Sequence, residues 1–144
     1  MDNDVITYLM NIAFDNKIVI NFFDNLDPDT PPGSDVETRR IAMNSRWHNK
    51  SEIPFQLAHE LGHILSGQQS TKILYFTPYK YGMELEANEY AIKLLLPLYL
   101  ADKDTMSVNI HNFMSYFNIP YHLEDIVIKE TKSLLSRSES DFNV

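Results

Sequence analysis

The apolar positions near the N-terminus change from a helical to a strand-like pattern. Five apolar residues between positions 4 and 14 recur with helical spacing and would share one face: Val5, Ile6, Leu9, Met10 and Ala13. This spacing predicts an amphipathic helix. Segment 17–23 (KIVINFF) is β-branched and aromatic, which predicts a strand. Segment 24–35 contains three prolines, a glycine and several aspartates. We expect it to be a mobile loop.

A second strand is predicted over residues 38–47. Apolar residues alternate there with polar or small ones, so that Ile41 and Met43 face one side and Arg40 and Asn44 face the other. We expect this strand to pair antiparallel with the first strand or to form an edge of the sheet.

The pattern of the following residues is helical. Ser51 is the predicted N-cap of a helix that Gly67 ends. Within it, Gly62 costs about 1 kcal/mol relative to alanine, and a small residue there lets another backbone approach closely. The next predicted helix covers roughly 83–96 and stops at Pro97.

Two more helices complete the predicted C-terminal half. Segment 107–117 carries an apolar stripe at helical spacing, and Pro120 stands where a final helix would begin. The predicted fold class is therefore α+β, with a short antiparallel sheet beside one helix and a helical C-terminal half. We expect a single domain over residues 1–135 and a disordered tail over 136–144.

Composition narrows the range of functions. A chain of 144 residues with 44% hydrophobic residues can bury a core, and no segment is long and apolar enough to span a membrane. The N-terminus is acidic, which does not match a signal peptide, so we expect a cytoplasmic protein. The net charge of −8 argues against nucleic acid as a direct ligand and suits a basic protein partner. Without cysteine, any metal ligand must be His, Asp or Glu.

The residues HELGH at positions 59–63 match the HExxH pattern of zinc hydrolases. His59 and His63 would lie one turn apart on one face of a helix, about 6 Å along its axis, and their imidazoles can bind one metal ion. Zinc with three protein ligands keeps a fourth position for water, and Glu60 is the predicted general base. The alternative is an amphipathic helix with two surface histidines.

A third ligand is expected on the predicted helix that follows. Among its carboxylates we rank Glu84 first, Glu86 second and Glu89 third. Glu84 and Glu86 lie about 200° apart around a helix, so both cannot face one metal ion. Asn88, one turn after Glu84, is a candidate to orient a ligand through its amide. A solvated acidic face is the alternative for any single glutamate.

Peptide hydrolysis also needs a donor that stabilises the oxyanion. The candidates are Tyr79, Tyr81, His111 and His122, none of which the sequence places at the site. Each is more often a surface or half-buried residue than a catalytic one.

The paired motifs resemble those of a known family. HELGH is followed by ExEANxYAxxLLxP, here Glu84 to Pro97, and this combination is similar to the ImmA/IrrE metallopeptidases, which share a thermolysin-like zinc domain. The resemblance implies one zinc ion held by His59, His63 and Glu84, with Glu60 as the catalytic carboxylate. Pro54 and Gln56 depart from the family, whose members commonly carry Arg and Thr shortly before the motif.

The same resemblance implies a substrate. Family members encoded by phages and conjugative elements cleave, or promote cleavage of, the element's own repressor. We therefore expect the substrate to be a helix-turn-helix repressor of the same phage or mobile element. One rival interpretation is a zinc-stabilised anti-repressor that inactivates its partner without cleavage. Another is a structural protein in which the motif is incidental and binds no metal.

Overall fold

The chain forms five helices and a three-stranded sheet in the part that the computed structural model describes. That part comprises the backbone of residues 3–67, 78–101 and 108–142 and the side chains of 4–67, 82–101 and 108–137. In chain order the elements are α1 (Asn3–Asp15), β1 (Val19–Phe23), β2 (Gly33–Asp35), β3 (Arg40–Asn44), α2 (Ile53–Leu65), α3 (Pro78–Leu100), α4 (Ile110–Phe117) and α5 (Glu124–Phe142). The mixed α+β class and the helical C-terminal half are confirmed.

The sheet is mixed, and its strand order is β1-β3-β2. β3 runs parallel to β1, with Val19 opposite Arg40, and antiparallel to β2, with Gly33 opposite Ala42. The expected antiparallel pairing of the first two predicted strands is therefore wrong, and β3 is the middle strand rather than an edge. The physical reason is β2, which the loop prediction for 24–35 missed. The chain reverses direction on entering β2 and again on leaving it, so β3 returns parallel to β1.

The segment between β1 and β2 is bonded to the sheet rather than free of it. Asn44 is completely buried, although its place in the alternating pattern predicts an outward side chain. Its Nδ2 donates to the carbonyl oxygens of Asp27 at 2.8 Å and Thr30 at 3.0 Å. Arg46 and His48 add bonds to the same loop, to the carbonyls of Leu26 and Pro28. The expectation of a mobile loop over 24–35 is corrected accordingly.

Two helix boundaries differ from the predicted ones. A 3-10 turn, Lys50–Glu52, precedes α2, and the cap of this turn is Asn49, whose Oδ1 accepts from the Ser51 backbone N–H at 3.2 Å. Ser51 is therefore not the N-cap of α2. Pro97 lies inside α3 and does not end it. A proline removes a single helical hydrogen bond, and Pro97 is exposed and only three residues from the end of α3.

The other helix ends agree with the sequence. Gly67, with φ of +77°, follows α2 in a left-handed conformation that suits glycine. α5 begins after a 3-10 turn, Tyr121–Leu123, that Pro120 precedes. α5 extends to Phe142 and thus enters the segment 136–144 for which a disordered tail is expected. The domain boundary at residue 135 stays a prediction. No helix in the described ranges combines the length and apolar character needed to cross a membrane.

The core lies around α2. This helix buries Leu57, Ala58 and Leu61 completely, and it packs against α1 and α3 as well as against β2 and β3. α4 closes the core with Phe113 and Phe117, whose rings lie 5.4 Å apart. Since α2 is held on several sides, the direction of its polar face is fixed by the packing of its apolar one.

We expect Phe113→Ala to lower the free energy of unfolding by about 3–5 kcal/mol, because the buried ring leaves a cavity. Phe113 is 1% exposed, whereas Phe14 on α1 is 83% exposed and serves as the matched control. Phe14→Ala should change the stability by less than about 0.5 kcal/mol. Urea unfolding followed by circular dichroism measures both. Equal effects of the two substitutions would contradict this description of the core.

Candidate metal centre

His59 and His63 lie one turn apart on the same face of α2. Their side chains are mostly buried, with 17% and 11% exposed, and their ring centroids are 4.7 Å apart. Their neighbours on the apolar face, Ala58, Leu61 and Ile64, are buried in the core. The two imidazoles are therefore presented together by a helix that cannot rotate without disrupting the core.

α3 approaches this face closely because Gly62 has no side chain. A Cβ atom built on Gly62 would lie 2.7 Å from the carbonyl oxygen of Ala87 and 3.1 Å from Cβ of Tyr90. Backbone atoms cannot move aside at low cost, so any larger residue would push the two helices apart. The sequence-based expectation of a close backbone approach at Gly62 is confirmed.

The close approach brings Glu84 of α3 to the two histidines. Glu84 Oε2 lies 3.0 Å from His59 Nε2, and Oε1 lies 3.1 Å from His63 Nε2. The two Nε2 atoms are 3.1 Å from each other. One ligand atom from each residue therefore lies within 4.8 Å of the other two. We call these three residues the His-His-Glu cluster.

The size of the cluster is compatible with a bound metal ion. Ligand bonds of about 2.0–2.1 Å at tetrahedral angles place neighbouring ligand atoms roughly 3.3 Å apart. The two Nε2 atoms, 3.1 Å apart, are a few tenths of an ångström closer than this, and each lies about as close to a different oxygen of Glu84. The donor set, two imidazoles and one carboxylate, is also one that divalent metals of this geometry bind.

Asn88 holds the first of the two imidazoles. Its Oδ1 lies 2.7 Å from His59 Nδ1, one helical turn after Glu84 on α3. With the amide oxygen toward the ring, Nδ1 carries a proton and donates it, and Nε2 is the nitrogen that faces Glu84 and His63. The sequence predicts that Asn88 orients a metal ligand, and the structure brings the Asn88 amide to His59.

The charge of Glu84 is stabilised by the same contacts. Hydrogen bonds from His59 and then His63 lower the pKa of Glu84, and they outweigh the opposing effect of its partial burial. Glu84 is 48% exposed, so one side of the cluster is open to solvent. The carboxylate is thus ionised, as a metal ligand must be, and water can reach it.

Glu60 lies beside the cluster on α2 but is not part of it. It is 7% exposed, and it follows His59 directly, about 100° around the helix. Of the other ranked carboxylates, Glu86 is exposed and Glu89 half-buried, and neither joins the His-His-Glu cluster. The assignment of Glu60 as general base stays a prediction.

Of the oxyanion candidates, His111 and His122 have described side chains, and neither joins the His-His-Glu cluster. Nε2 of His111 on α4 lies 3.9 Å from Oε1 of Glu124. The His111 ring stacks on Tyr121, with ring centroids 6.3 Å apart. His122 is exposed in the turn before α5. Tyr79 and Tyr81 stand in the first turns of α3, and their side chains lie outside the described residues.

The peptidase family described as the IrrE N-terminal-like domain matches residues 16–143. The match includes both helices that carry the cluster. The chain belongs to this family. No curated protein and no solved structure matches the chain. Family membership indicates a protease, and the His-His-Glu cluster is compatible with the metal site of a metallopeptidase.

The packing at Gly62 can be tested with a pair of glycine variants. We expect Gly62→Ala to lower the free energy of unfolding by about 1–3 kcal/mol and to weaken metal binding, because α3 must move away. Gly82 of α3 has no atom within 4 Å of the place that a Cβ would occupy. Gly82→Ala should be neutral or stabilising by up to about 1 kcal/mol. Urea unfolding and metal titration of both variants check this, and normal metal affinity in Gly62→Ala would contradict it.

The ligand assignment predicts one metal ion per chain. Glu84→Ala should reduce the bound metal strongly, because it removes one of three protein ligands. Glu86→Ala, two residues away on the exposed side of α3, is the matched control and should keep the metal. Elemental analysis of the purified variants gives the stoichiometry. Full occupancy in Glu84→Ala together with loss in Glu86→Ala would overturn the assignment.

Proposed function

We propose that the protein is a zinc-dependent peptidase that hydrolyses a peptide bond in a specific protein substrate. The observation that carries the proposal is the convergence of His59, His63 and Glu84 from two helices of a chain that belongs to a peptidase family. The HExxH spacing supplies a general base next to the first histidine, which is what metal-assisted hydrolysis needs.

Zinc is the metal that suits the donor set best. Two imidazoles and a carboxylate in tetrahedral arrangement are the protein ligands of a catalytic zinc site with an open fourth position. The open side of the cluster, next to the half-exposed Glu84, gives water and substrate a way in. Zinc held by these three residues would act as a Lewis acid on the scissile carbonyl and would make the attacking water more acidic.

Glu60 performs the proton transfers in this proposal. Its carboxylate accepts a proton from the attacking water, whose oxygen forms a bond to the carbonyl carbon. When the C–N bond breaks, Glu60 returns the proton to the departing amine. The burial of Glu60 supports this role, because a carboxylate shielded from bulk water keeps a fixed position beside the reacting atoms.

In this proposal an extended segment of the substrate pairs with the edge of β2. β3 is hydrogen-bonded on both sides, by β1 and β2, and has no open edge. β2 is an edge of the described sheet and contacts α2, whereas β1 at the other edge contacts α1. An extended peptide added to β2 would therefore lie beside the helix that carries the histidines.

A helix-turn-helix repressor of the same phage or mobile element is the proposed substrate, following the family resemblance. The net charge of −8 supports attraction to a basic DNA-binding protein, which would weaken as the salt concentration rises. Such a substrate places the reaction in the cytoplasm. We place the substrate contacts on segment 24–35 and on the aromatic segment 73–81, because both flank α2 in sequence. Segment 73–81 lies largely outside the described residues.

Glu60→Gln tests the catalytic role. The variant keeps the size of the side chain and all three proposed ligands, so it should bind one zinc ion and leave the substrate uncut. The measurement is co-expression with a candidate helix-turn-helix repressor of the same element, followed by gel analysis of the repressor and by the activity of the promoter that it represses.

The two rival functions give different results in the same assay. If Glu60→Gln inactivates the repressor as fast as the wild type, the protein acts as an anti-repressor by binding, and the peptidase proposal is wrong. If the wild type binds no zinc, the peptidase proposal and the zinc-stabilised anti-repressor both fail. If the repressor stays intact and functional with the wild type, the choice of substrate is wrong.

A further inference from the structure

β2 is so short that its pairing with β3 alone does not fix its position. It has three residues, Gly33–Asp35, which pair with Ala42, Ile41 and Arg40 of β3. A two-stranded contact of this length contributes only a few hydrogen bonds, and such short pairings are marginal in water. Apart from the contact with α2 and the turn after Asp35, whose carboxylate accepts from the Glu37 backbone N–H at 3.0 Å, the position of β2 depends on what fixes the chain before it.

Asn44 supplies that fixed point. Its side chain makes three hydrogen bonds: Nδ2 donates to the carbonyls of Asp27 and Thr30, and Oδ1 accepts from the Arg46 backbone N–H at 2.9 Å. With 0% exposure, these bonds do not compete with water. The amide thus ties the loop over 24–32 to the end of the central strand β3.

The tie is transmitted to β2 by a stiff connection. Only Pro31 and Pro32 separate Thr30, whose carbonyl Asn44 holds, from Gly33, the first residue of β2. Each proline ring fixes φ near −65°, and two consecutive prolines favour an extended, inflexible backbone. Fixing the carbonyl of Thr30 therefore fixes where β2 begins.

We propose that Asn44 is a positioning residue that sets the edge of β2 against the metal-bearing helix α2, and so determines how tightly an extended substrate binds. This inference rests on the proposed peptidase function. Asn44 touches neither the His-His-Glu cluster nor the substrate, and it acts through the loop, the two prolines and β2.

Asn44→Ala tests the proposal with three measurements. Zinc content stays at the wild-type value, because the cluster belongs to α2 and α3. Hydrogen exchange at the backbone amides of Gly33–Asp35 becomes faster by about ten-fold or more, since two hydrogen bonds that held the preceding loop are lost. For cleavage of the purified repressor, KM rises by about ten-fold while kcat changes by less than about two-fold, because ground-state and transition-state binding are lost together.

Two further variants serve as control and safeguard. Ser45→Ala removes a hydrogen bond of 2.8 Å from the next residue to the carbonyl of Phe23, on the β1 side of β3. It should leave KM and the exchange at β2 unchanged. Arg46→Ala removes a bond of 3.2 Å to the carbonyl of Leu26 from the exposed side of the loop. It should raise KM and speed hydrogen exchange at β2, as Asn44→Ala does, but by less. If Asn44→Ala does not fold, this variant decides whether the bonds between the loop and the end of β3 position β2.

Unchanged exchange at Gly33–Asp35 in Asn44→Ala and Arg46→Ala would overturn the proposal, as would a loss of kcat without a change of KM. Failure of the peptidase function is distinguished by the wild type. If the wild type binds zinc but cuts no repressor, the choice of substrate fails, and hydrogen exchange alone decides whether Asn44 positions β2.

Discussion

The contact between Gly62 of α2 and Ala87 of α3 is the constraint on which the candidate metal centre depends. Both helices carry their polar residues at the same distances from this contact. His59 and His63 lie three residues before and one after Gly62, and Glu84 and Asn88 lie three before and one after Ala87. Because these offsets place both pairs over the crossing point, the separation of the two backbones sets all the distances within the cluster.

The parts of the site that follow from helix periodicity could be predicted from the sequence. The histidine pair is one such part, since four residues make about one turn wherever the helix lies. Glu84 and Asn88 are another such pair. Ranking Glu84 above Glu86 and Glu89 also required deciding which of these residues share one face of the predicted helix. The close approach at Gly62 was predictable as a packing feature. The hydrogen-bond partner of Asn88 could not be predicted, because only the crossing of α2 and α3 brings its amide to His59.

The sheet was less predictable, and the reasons are physical. Alternation of polar and apolar residues identifies a strand but carries no information about its direction, so the parallel pairing of β1 and β3 was missed. β2 has three residues and no apolar side chain, too little for a recognisable pattern. The alternation predicts an outward side chain for Asn44, and its burial results from a loop that folds over it. Pro97 shows that one proline near the end of a helix does not reliably stop it.

Because the ligands of the site come from two helices, the metal supply would also affect the stability of the fold. The ligands on α2 and α3 are separated by a long stretch of sequence, so the unfolded chain cannot present them together. A metal ion held by the cluster would therefore favour the native state, and free metal at one hundred times its dissociation constant would add about 2.7 kcal/mol to stability. This is a large share of the roughly 5–15 kcal/mol typical of a domain. We expect metal-starved cells to degrade the protein rather than to accumulate it in an inactive form.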